Sequence, residues 1–211
     1  MTDDRPTIRT MYDRLAGEYT RHVADELDHK PLDRELLDRF AASVHGDILD
    51  LGCGPGHVAA YLHARGARVS GVDLSPEMIA RARELAPGIA FREGNMLALD
   101  VPTASYAGVV AFYAIVNLPD ADIARGCREL ARVLAPGGLA LVAFHIGNET
   151  LHVDELWGVP IDLDFFLLDP ATIHTHLAAA GLVIEETTER DPYPDVEYQS
   201  RRAYVLARKR A

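Results

Sequence analysis

Apolar residues recur at three- and four-residue steps over residues 7–28, where Ile8, Met11, Tyr12, Leu15, Ala16, Tyr19 and Val23 form one stripe. That spacing predicts an amphipathic helix. A second stripe, Leu32, Leu36, Leu37, Phe40 and Val44, predicts a helix over 32–43. From Ile48 the period changes. Short apolar runs at Ile48–Leu51, Arg68–Val72, Ile89–Arg92, Gly108–Phe112 and Leu139–Phe144 alternate with helix-length segments. Alternation of that kind predicts a parallel sheet covered on both faces. Ser75-Pro76 and Asp169-Pro170 each set an N-cap beside a proline at the first helical position. Leu134 closes another helix, and the "APGG" behind it reads as a stop followed by a flexible turn. Near the end, "GLVIEETTERD" and "RRAYVLARK" alternate apolar and polar positions, which predicts an antiparallel pair joined by a short loop.

Composition narrows the class. At 211 residues the chain suits one domain with a substantial core. A net charge of −11 sets most of the surface against a nucleic-acid backbone. Arg208, Lys209 and Arg210 read as a solvated tail rather than a basic patch. Two cysteines, Cys53 in a glycine turn and Cys127 on a helix, make no disulfide framework and fit reduced thiols. The start, "MTDDRPTIRTMYDRLAG", lacks the apolar core of a secretion signal, and "AGVVAFYAIV" is too short to span a bilayer. The expectation is a cytoplasmic protein without membrane or nucleic-acid partners.

The candidate chemistry begins in "DILDLGCGPGHVAAYLHARGARVSGVD", residues 47–73. A dinucleotide fingerprint needs G-x-G-x-x-G, the third glycine admitting close helix–strand packing. Here Gly52 and Gly54 are followed by His57 at the third position, with glycine moved to Gly56 and Pro55 interrupting the loop. No Lys-Ser/Thr follows, so the turn is not a phosphate-binding P-loop either. Glycines let a ligand lie against main-chain amides. Asp73 ends the next strand at the carboxyl edge of the sheet, where open α/β sheets bind ligands, and its carboxylate can accept from both hydroxyls of a ribose. A helix-capping role for Asp73 is the alternative, but Ser75 already fills it.

The phrase "ILDLGCGPG" resembles motif I of the class I S-adenosylmethionine-dependent methyltransferases. The resemblance continues through "VSGVDLSPEMI", "FREGNML", "SYAGVVAFYAIVNL" and "RVLAPGGLALV", in the family's order, over residues 46–144. It implies an α/β fold: a Rossmann-like, seven-stranded, mostly parallel sheet with an antiparallel last strand. It further implies a helical lid (1–45, carrying "YDRLAGEY"), a donor-binding core (46–144), an acceptor-side insert (145–169) and a closing helix with hairpin (170–211). S-adenosylmethionine would be the cofactor and S-adenosylhomocysteine the product. The donor site would comprise Asp50, Gly52, Cys53, Gly54, Gly56, Asp73 and Phe112, with Asn95 and Met96 flanking the adenine. Relatives carry Asp where Asn95 stands, and the amide oxygen can still accept from the adenine amino group. Leu74, Met78 and Leu97 suit either the adenine faces or the core. Tyr12 and Tyr19, seven apart on one helix face, suit the methionine end or plain helix packing.

The acceptor side carries no fixed motif, because the sulfonium is already activated and alignment is the main requirement. A base is needed only where the acceptor keeps its proton. Tyr113 and Asn117 follow the fourth strand, and Asn117, which stands where relatives often have His, cannot act as a base. His145 is the first candidate base, with His22 and His152 behind it, although each equally suits a surface or satisfied histidine. In the insert, Trp157, Phe165 and Phe166 stand among Asp154, Glu155, Asp162 and Asp164. That composition suits either an aromatic, acidic mouth for an amine or a solvated acidic loop over core aromatics. Arg201 or Arg202 could hold an anionic group or pair with Glu185, Glu186 or Glu189. His174 and His176 face different sides of a helix and do not form a metal site. The expected activity is methyl transfer to a small molecule by a monomer or homodimer. A protein that binds the donor without methylating, or a nicotinamide oxidoreductase, is the alternative.

Overall fold

A computed structural model of the chain describes residues 7–210; the first six residues of the polar start lie outside them. Five parallel strands, β1 (Asp47–Leu51), β2 (Arg68–Asp73), β3 (Ala90–Glu93), β4 (Tyr106–Phe112) and β5 (Leu134–His145), form the body of a seven-stranded sheet. Two more strands, β8 (Leu182–Arg190) and β9 (Arg202–Lys209), complete it in the order β3-β2-β1-β4-β5-β9-β8. β9 runs antiparallel to both neighbours. The remaining pair, β6 (Thr150–Leu156) and β7 (Val159–Phe166), makes a separate antiparallel hairpin. The expected Rossmann-like architecture is therefore present.

Helices α2 (Pro31–Ser43), α3 (His57–His63) and α4 (Pro76–Leu85) lie on one face, and α5 (Asp120–Val133) and α6 (Pro170–Ala179) on the other. On the first face Leu37, Phe40, Val58 and Leu62 close over Ile48, Val110 and Leu141. On the second, Ile123, Leu130, Ile173 and Leu177 close over Val109, Val142 and Val205. Burying such side chains supplies about 1.5–3 kcal/mol each, which explains why the central strands read as unbroken apolar runs. The caps sit where the sequence places them: Ser75 Oγ accepts from Met78 N at 3.1 Å and Asp169 Oδ1 from Ala171 N at 3.0 Å.

Four expectations need correction. The helix over 7–28 stops early: α1 is Ile8–Val23, and a 3₁₀ turn follows at Glu26–His29. That turn buries Leu27 and swings Glu26 inward to His57, a contact a continued helix would forgo. "APGG" is no flexible turn but the bulged start of β5, where Gly137 has φ +76° and the pairing with β4 shifts between Tyr106 and Gly108. A side chain at Gly138 would meet the carbonyl oxygens of Ala135 and Ala107 at 2.9 and 3.0 Å, so glycine is required there. Arg208 and Lys209 are strand residues, not a tail: Arg208 pairs with Glu185, and Lys209 Nζ donates to Leu134 O at 2.7 Å. Finally, residues 191–201 form a long loop, not a short one, and that loop carries Glu197 into the interior.

Glu197 and Asp33 centre a buried ionic cluster. Arg190 reaches Asp33 at 3.0 Å and Glu197; Arg202 Nε lies 3.0 Å from Glu197, and Lys30 Nζ lies 3.4 Å from it. Lys30 also pairs with Glu26 at 2.6 Å. Tyr204 donates to Asp33 at 2.9 Å, tying the start of α2 to β9. Removing one member of such a network leaves the others charged and unpaired. Arg190→Ala is expected to lower the unfolding free energy by about 3–5 kcal/mol in urea titrations. Arg201→Ala, which breaks an exposed pair with Glu189, should cost under about 1 kcal/mol.

Candidate donor and acceptor site

The glycine turn follows β1 and folds back on β2. Gly52 N and Cys53 N both donate to Val72 O, at 2.8 and 3.0 Å, and Gly56 N donates to Cys53 O at 2.9 Å. Gly54 N donates to Asp73 Oδ2 at 2.8 Å. Each of these amides is therefore spent inside the protein, which corrects the expectation of a turn offering amides to a ligand. Those four amides are not free for a pyrophosphate, and the described lining residues include no Lys or Arg. Gly52, Gly54 and Gly56 have φ of +71°, +51° and +82°, the left-handed region where glycine is favoured.

Beside the turn lies a cavity of about 210 Å³ at the carboxyl edge of the sheet, lined by Gly52, Cys53, Gly54 and Asp73 among others. Asp73 Oδ1 accepts from Ser75 N at 2.9 Å while Oδ2 holds Gly54. Burial holds its carboxyl above the ordinary value, and these amide hydrogen bonds offset part of that rise. Each oxygen keeps a further lone pair, which suits the vicinal hydroxyls of a ribose. Leu74, Met78, Met96 and Leu97 give apolar walls for a flat base. Asn95 is both lining and turn residue, since its Oδ1 accepts from Leu97 N at 2.8 Å. Phe112 and Tyr113 form the inner wall, and Tyr12 and Tyr19 of α1 form the roof, their rings 5.9 Å apart.

The roof is latched. Tyr12 donates to Asn117 Oδ1 at 2.6 Å, and Asn117 Nδ2 donates to Asp164 O of β7 at 2.8 Å. Asp13 accepts from Ser75 Oγ at 2.5 Å on the far side. The hairpin packs Ile161 and Leu163 onto Met11 and Leu15 of α1, so residues 145–169 brace the lid rather than form a loop. Its acids face away: Asp154 and Asp164 bind His152 at 2.9 and 2.8 Å on an exposed face.

Several candidate residues lie elsewhere. Asp50 and Gly56 do not line the cavity: Asp50 is buried with Oδ2 unpartnered and its carboxyl raised by burial to about 7, and Gly56 packs against Phe91 and Ala82. Among the acceptor candidates only Tyr113 and Asn117 line it. His22 stacks on Trp157 at 4.1 Å above the roof, and Phe165 joins the core. His145 stands behind Tyr113, ring centroids 5.0 Å apart, with Nδ1 on Ser200 Oγ at 2.7 Å. Arg202 is buried on Glu197, whereas Arg201 takes the expected partner Glu189. His174 bonds Thr187 and His176 bonds Asp120, and no metal-binding group of three occurs among the described residues.

Sequence reasoning missed His57 and Glu26. His57 lines the cavity and meets Glu26 Oε1 at 3.0 Å, a contact that, with Lys30, holds Glu26 down to about 2 against the upward pull of its burial. The missed signal was the residue that replaced the third glycine. Tyr113 is also unusual in its backbone, with φ +53° at the end of β4, a strained setting for a non-glycine residue that often marks a functional site.

An open α/β sheet with a cavity at the carboxyl ends of its strands, an acid at the second strand end and no Lys or Arg among the described lining residues is the layout of the α/β class that binds a nucleoside-containing cofactor. The chain belongs to the class I S-adenosylmethionine-dependent methyltransferase family: a methyltransferase-domain model matches residues 48–138. Its curated relatives include a demethylmenaquinone methyltransferase of Chlorobaculum parvum, 37% identical over 67% of this chain and 61% of that protein. A malonyl-[acyl-carrier protein] O-methyltransferase of Erwinia billingiae is 28% identical over 92% of this chain and 76% of that one. In fold, the CcbJ methyltransferase of Streptomyces caelestis matches with a TM-score of 0.74 and 22% identity over 97% of this chain and all (100%) of that one. The chain thus spans less than two thirds of the first relative's length. No helix among the described residues is long and apolar enough to cross a membrane.

Burial, with Arg202 and Lys30 nearby, lowers the His145 imidazole from 6.5 to about 4. A lowered histidine contributes stability that is complete above pH 6.5 and is lost as the pH falls toward 4. Relative to His145→Gln, the wild type is expected to lose about 2 kcal/mol of unfolding free energy between pH 7 and pH 5, read from urea midpoints.

Proposed function

We propose that this chain binds S-adenosylmethionine and transfers its methyl group to a small-molecule acceptor by in-line displacement. The observation that carries the reading is the Asp73 carboxylate, clamped by the Gly54 and Ser75 amides at the rim of a cavity without a lining Lys or Arg. That arrangement fits a nucleoside diol and offers nothing to a pyrophosphate, so the nicotinamide reading loses its anchor. When bound, the donor supplies an activated methyl on a sulfonium.

The chain's own residues then have distinct tasks. Asp73 holds the ribose, and Leu74, Met78, Met96 and Leu97 enclose the base beside Asn95. Gly52, Cys53 and Gly54 admit the methionine arm without a side chain in its path. Tyr12, Tyr19 and Tyr113 close the reacting end against water, and the Tyr12–Asn117–Asp164 latch keeps that roof shut. Excluding water and fixing the approach are the contributions such a transfer needs from a protein. Asp50, buried beneath the turn, supports it without touching the ligand. The chain acts in this reading as a monomer or homodimer on a small acceptor in the cytoplasm.

Titration calorimetry tests the reading. S-adenosylhomocysteine is expected to bind, Asp73→Ala to weaken it by at least about 100-fold through loss of two charge-assisted hydrogen bonds, and NADH not to bind. NADH binding without a response to S-adenosylhomocysteine would refute it. Tyr12→Phe, which opens the latch, should lower the turnover number more than it weakens product binding.

A further inference from the structure

We infer that His57, oriented by Glu26 and joined by the Tyr19 hydroxyl, is the receptor for the carboxylate of the donor's methionine arm. This rests on the methyl-transfer reading and deepens it by assigning the charged end of that arm to named side chains.

A zwitterionic arm that enters a cavity needs partners, because a buried charge left unpaired is costly. The glycine turn does not supply them, since the Gly52, Cys53 and Gly54 amides are engaged by Val72 and Asp73. No Lys or Arg stands among the described lining residues, and the two acids there, Asp73 and Asp122, repel a carboxylate. Most of the lining side chains with a proton to donate are committed elsewhere. Tyr12 donates to Asn117 Oδ1, and Asn117 Nδ2 donates to Asp164 O. The Tyr113 hydroxyl lies 3.1 Å from the Tyr204 hydroxyl, on the side of the ionic cluster. The Cys53 thiol bonds Gly54 O, and Asn95 belongs with the base beside Leu97. His57 and Tyr19 remain.

His57 is suited to the task by its place and its partner. It is the first residue of α3, directly after the glycine turn, and it forms part of the cavity wall. Its Nε2 lies 3.0 Å from Glu26 Oε1. Burial works to raise the Glu26 carboxyl, yet His57 and then Lys30 hold it down to about 2, so Glu26 is a carboxylate and only accepts. Nε2 therefore carries a proton, and Nδ1 is the nitrogen left over. Among the described residues Nδ1 is buried without a hydrogen-bond partner, the kind of orphan that a ligand group satisfies. With a proton on each nitrogen the ring donates twice, from Nε2 to Glu26 and from Nδ1 to the incoming carboxylate. Opposite charges then alternate from Lys30, 2.6 Å from Glu26, through Glu26 and His57 to the ligand.

Tyr19 completes the receptor. Burial, with Tyr12, Glu26 and Asp73 nearby, pushes its phenol well above the ordinary value, so it keeps its O–H to donate. Its ring lies against the turn, where a Cβ at Gly54 would stand 3.9 Å from Tyr19 Cε1. Asp50 is the rival claimant on Nδ1, buried beneath the turn with its own Oδ2 unpartnered. A bond from His57 to Asp50 would brace the turn for every nucleoside ligand, whereas a bond to the arm serves only ligands that carry it.

Calorimetry on the full chain separates the two with four probes: S-adenosylhomocysteine, its decarboxylated analogue, its deaminated analogue, and methylthioadenosine, which lacks the whole arm. The wild type should bind S-adenosylhomocysteine at least about tenfold more tightly than the decarboxylated analogue. His57→Leu should erase that difference and leave methylthioadenosine and the decarboxylated analogue bound as before. Glu26→Gln should shrink the difference, and His57→Asn, which keeps an N–H near the place of Nδ1, should restore part of it. Binding of methylthioadenosine reports that each variant is folded. Nitrogen NMR of the wild type needs no substitution to be stable: S-adenosylhomocysteine, but not the decarboxylated analogue, should shift Nδ1 of the imidazole that pairs with Glu26. Equal losses on all four probes in His57→Leu, which assign Nδ1 to Asp50, overturn the inference. So does a wild type indifferent to the carboxylate, a discrimination that follows the ammonium group instead, or an Nδ1 signal that does not move. Failure of both S-adenosylhomocysteine and methylthioadenosine to bind the wild type is a different result and strikes the donor reading itself.

Discussion

The hydrogen bond from the Gly54 amide to the Asp73 carboxylate is the constraint on which the site depends. It joins the turn after β1 to the end of β2, the two places where an open parallel sheet presents ligands. One carboxylate oxygen is held by the turn and the other by Ser75, the cap of α4. The group that faces the cavity is thus fixed in position by two elements before any ligand arrives. The same bond uses up an amide that a phosphate would need. A single interaction thus preorganises the carboxylate and engages the Gly54 amide.

A second set of constraints closes the site from the opposite side. Lys30, Asp33, Arg190, Glu197, Arg202 and Tyr204 come from α2 and the residue that precedes it, from β8 and β9, and from the 191–201 loop, and they meet behind Tyr113. Counting Glu26, which pairs with Lys30, three cations face three carboxylates, which makes the burial of so many ions tolerable. Through Glu26 the cluster continues to His57 in the glycine turn, and through Tyr204 it reaches the Tyr113 hydroxyl. The inner wall is therefore held chiefly by polar contacts, while the roof combines an apolar seat, Met11 and Leu15 against Ile161 and Leu163, with the Tyr12–Asn117 and Ser75–Asp13 hydrogen bonds.

How far the sequence could be read follows from the range of each interaction. Strands and caps were legible because they rest on local patterns: apolar runs for β1, β4 and β5, and Ser75-Pro76 and Asp169-Pro170 for α4 and α6. Asp73 was legible because its place at a strand end is set by the same alternation. The bulge at Gly137 and the hairpin β6–β7 were not, since a bulge depends on the neighbouring strand and the hairpin's apolar face on α1. His145 was a reasonable base by chain position. Its removal from the cavity depends on Tyr113, which turns across the end of β4 with φ +53° and stands between them.

The sequence by itself determined the sheet, its covering helices, the glycine turn and the acid that answers it, because period, capping and strand-end position are properties of neighbours in the chain. Only the tertiary structure decided that the turn's amides are already spent, that the acidic insert braces the lid with its charges outward, and that Lys30 and Arg202 lie behind the inner wall. Those features join residues far apart in the chain, as with Tyr12 and Asn117 or Asp33 and Tyr204. Whether a polar group is free or engaged depends on its partner, and the partner is known only once the chain has folded.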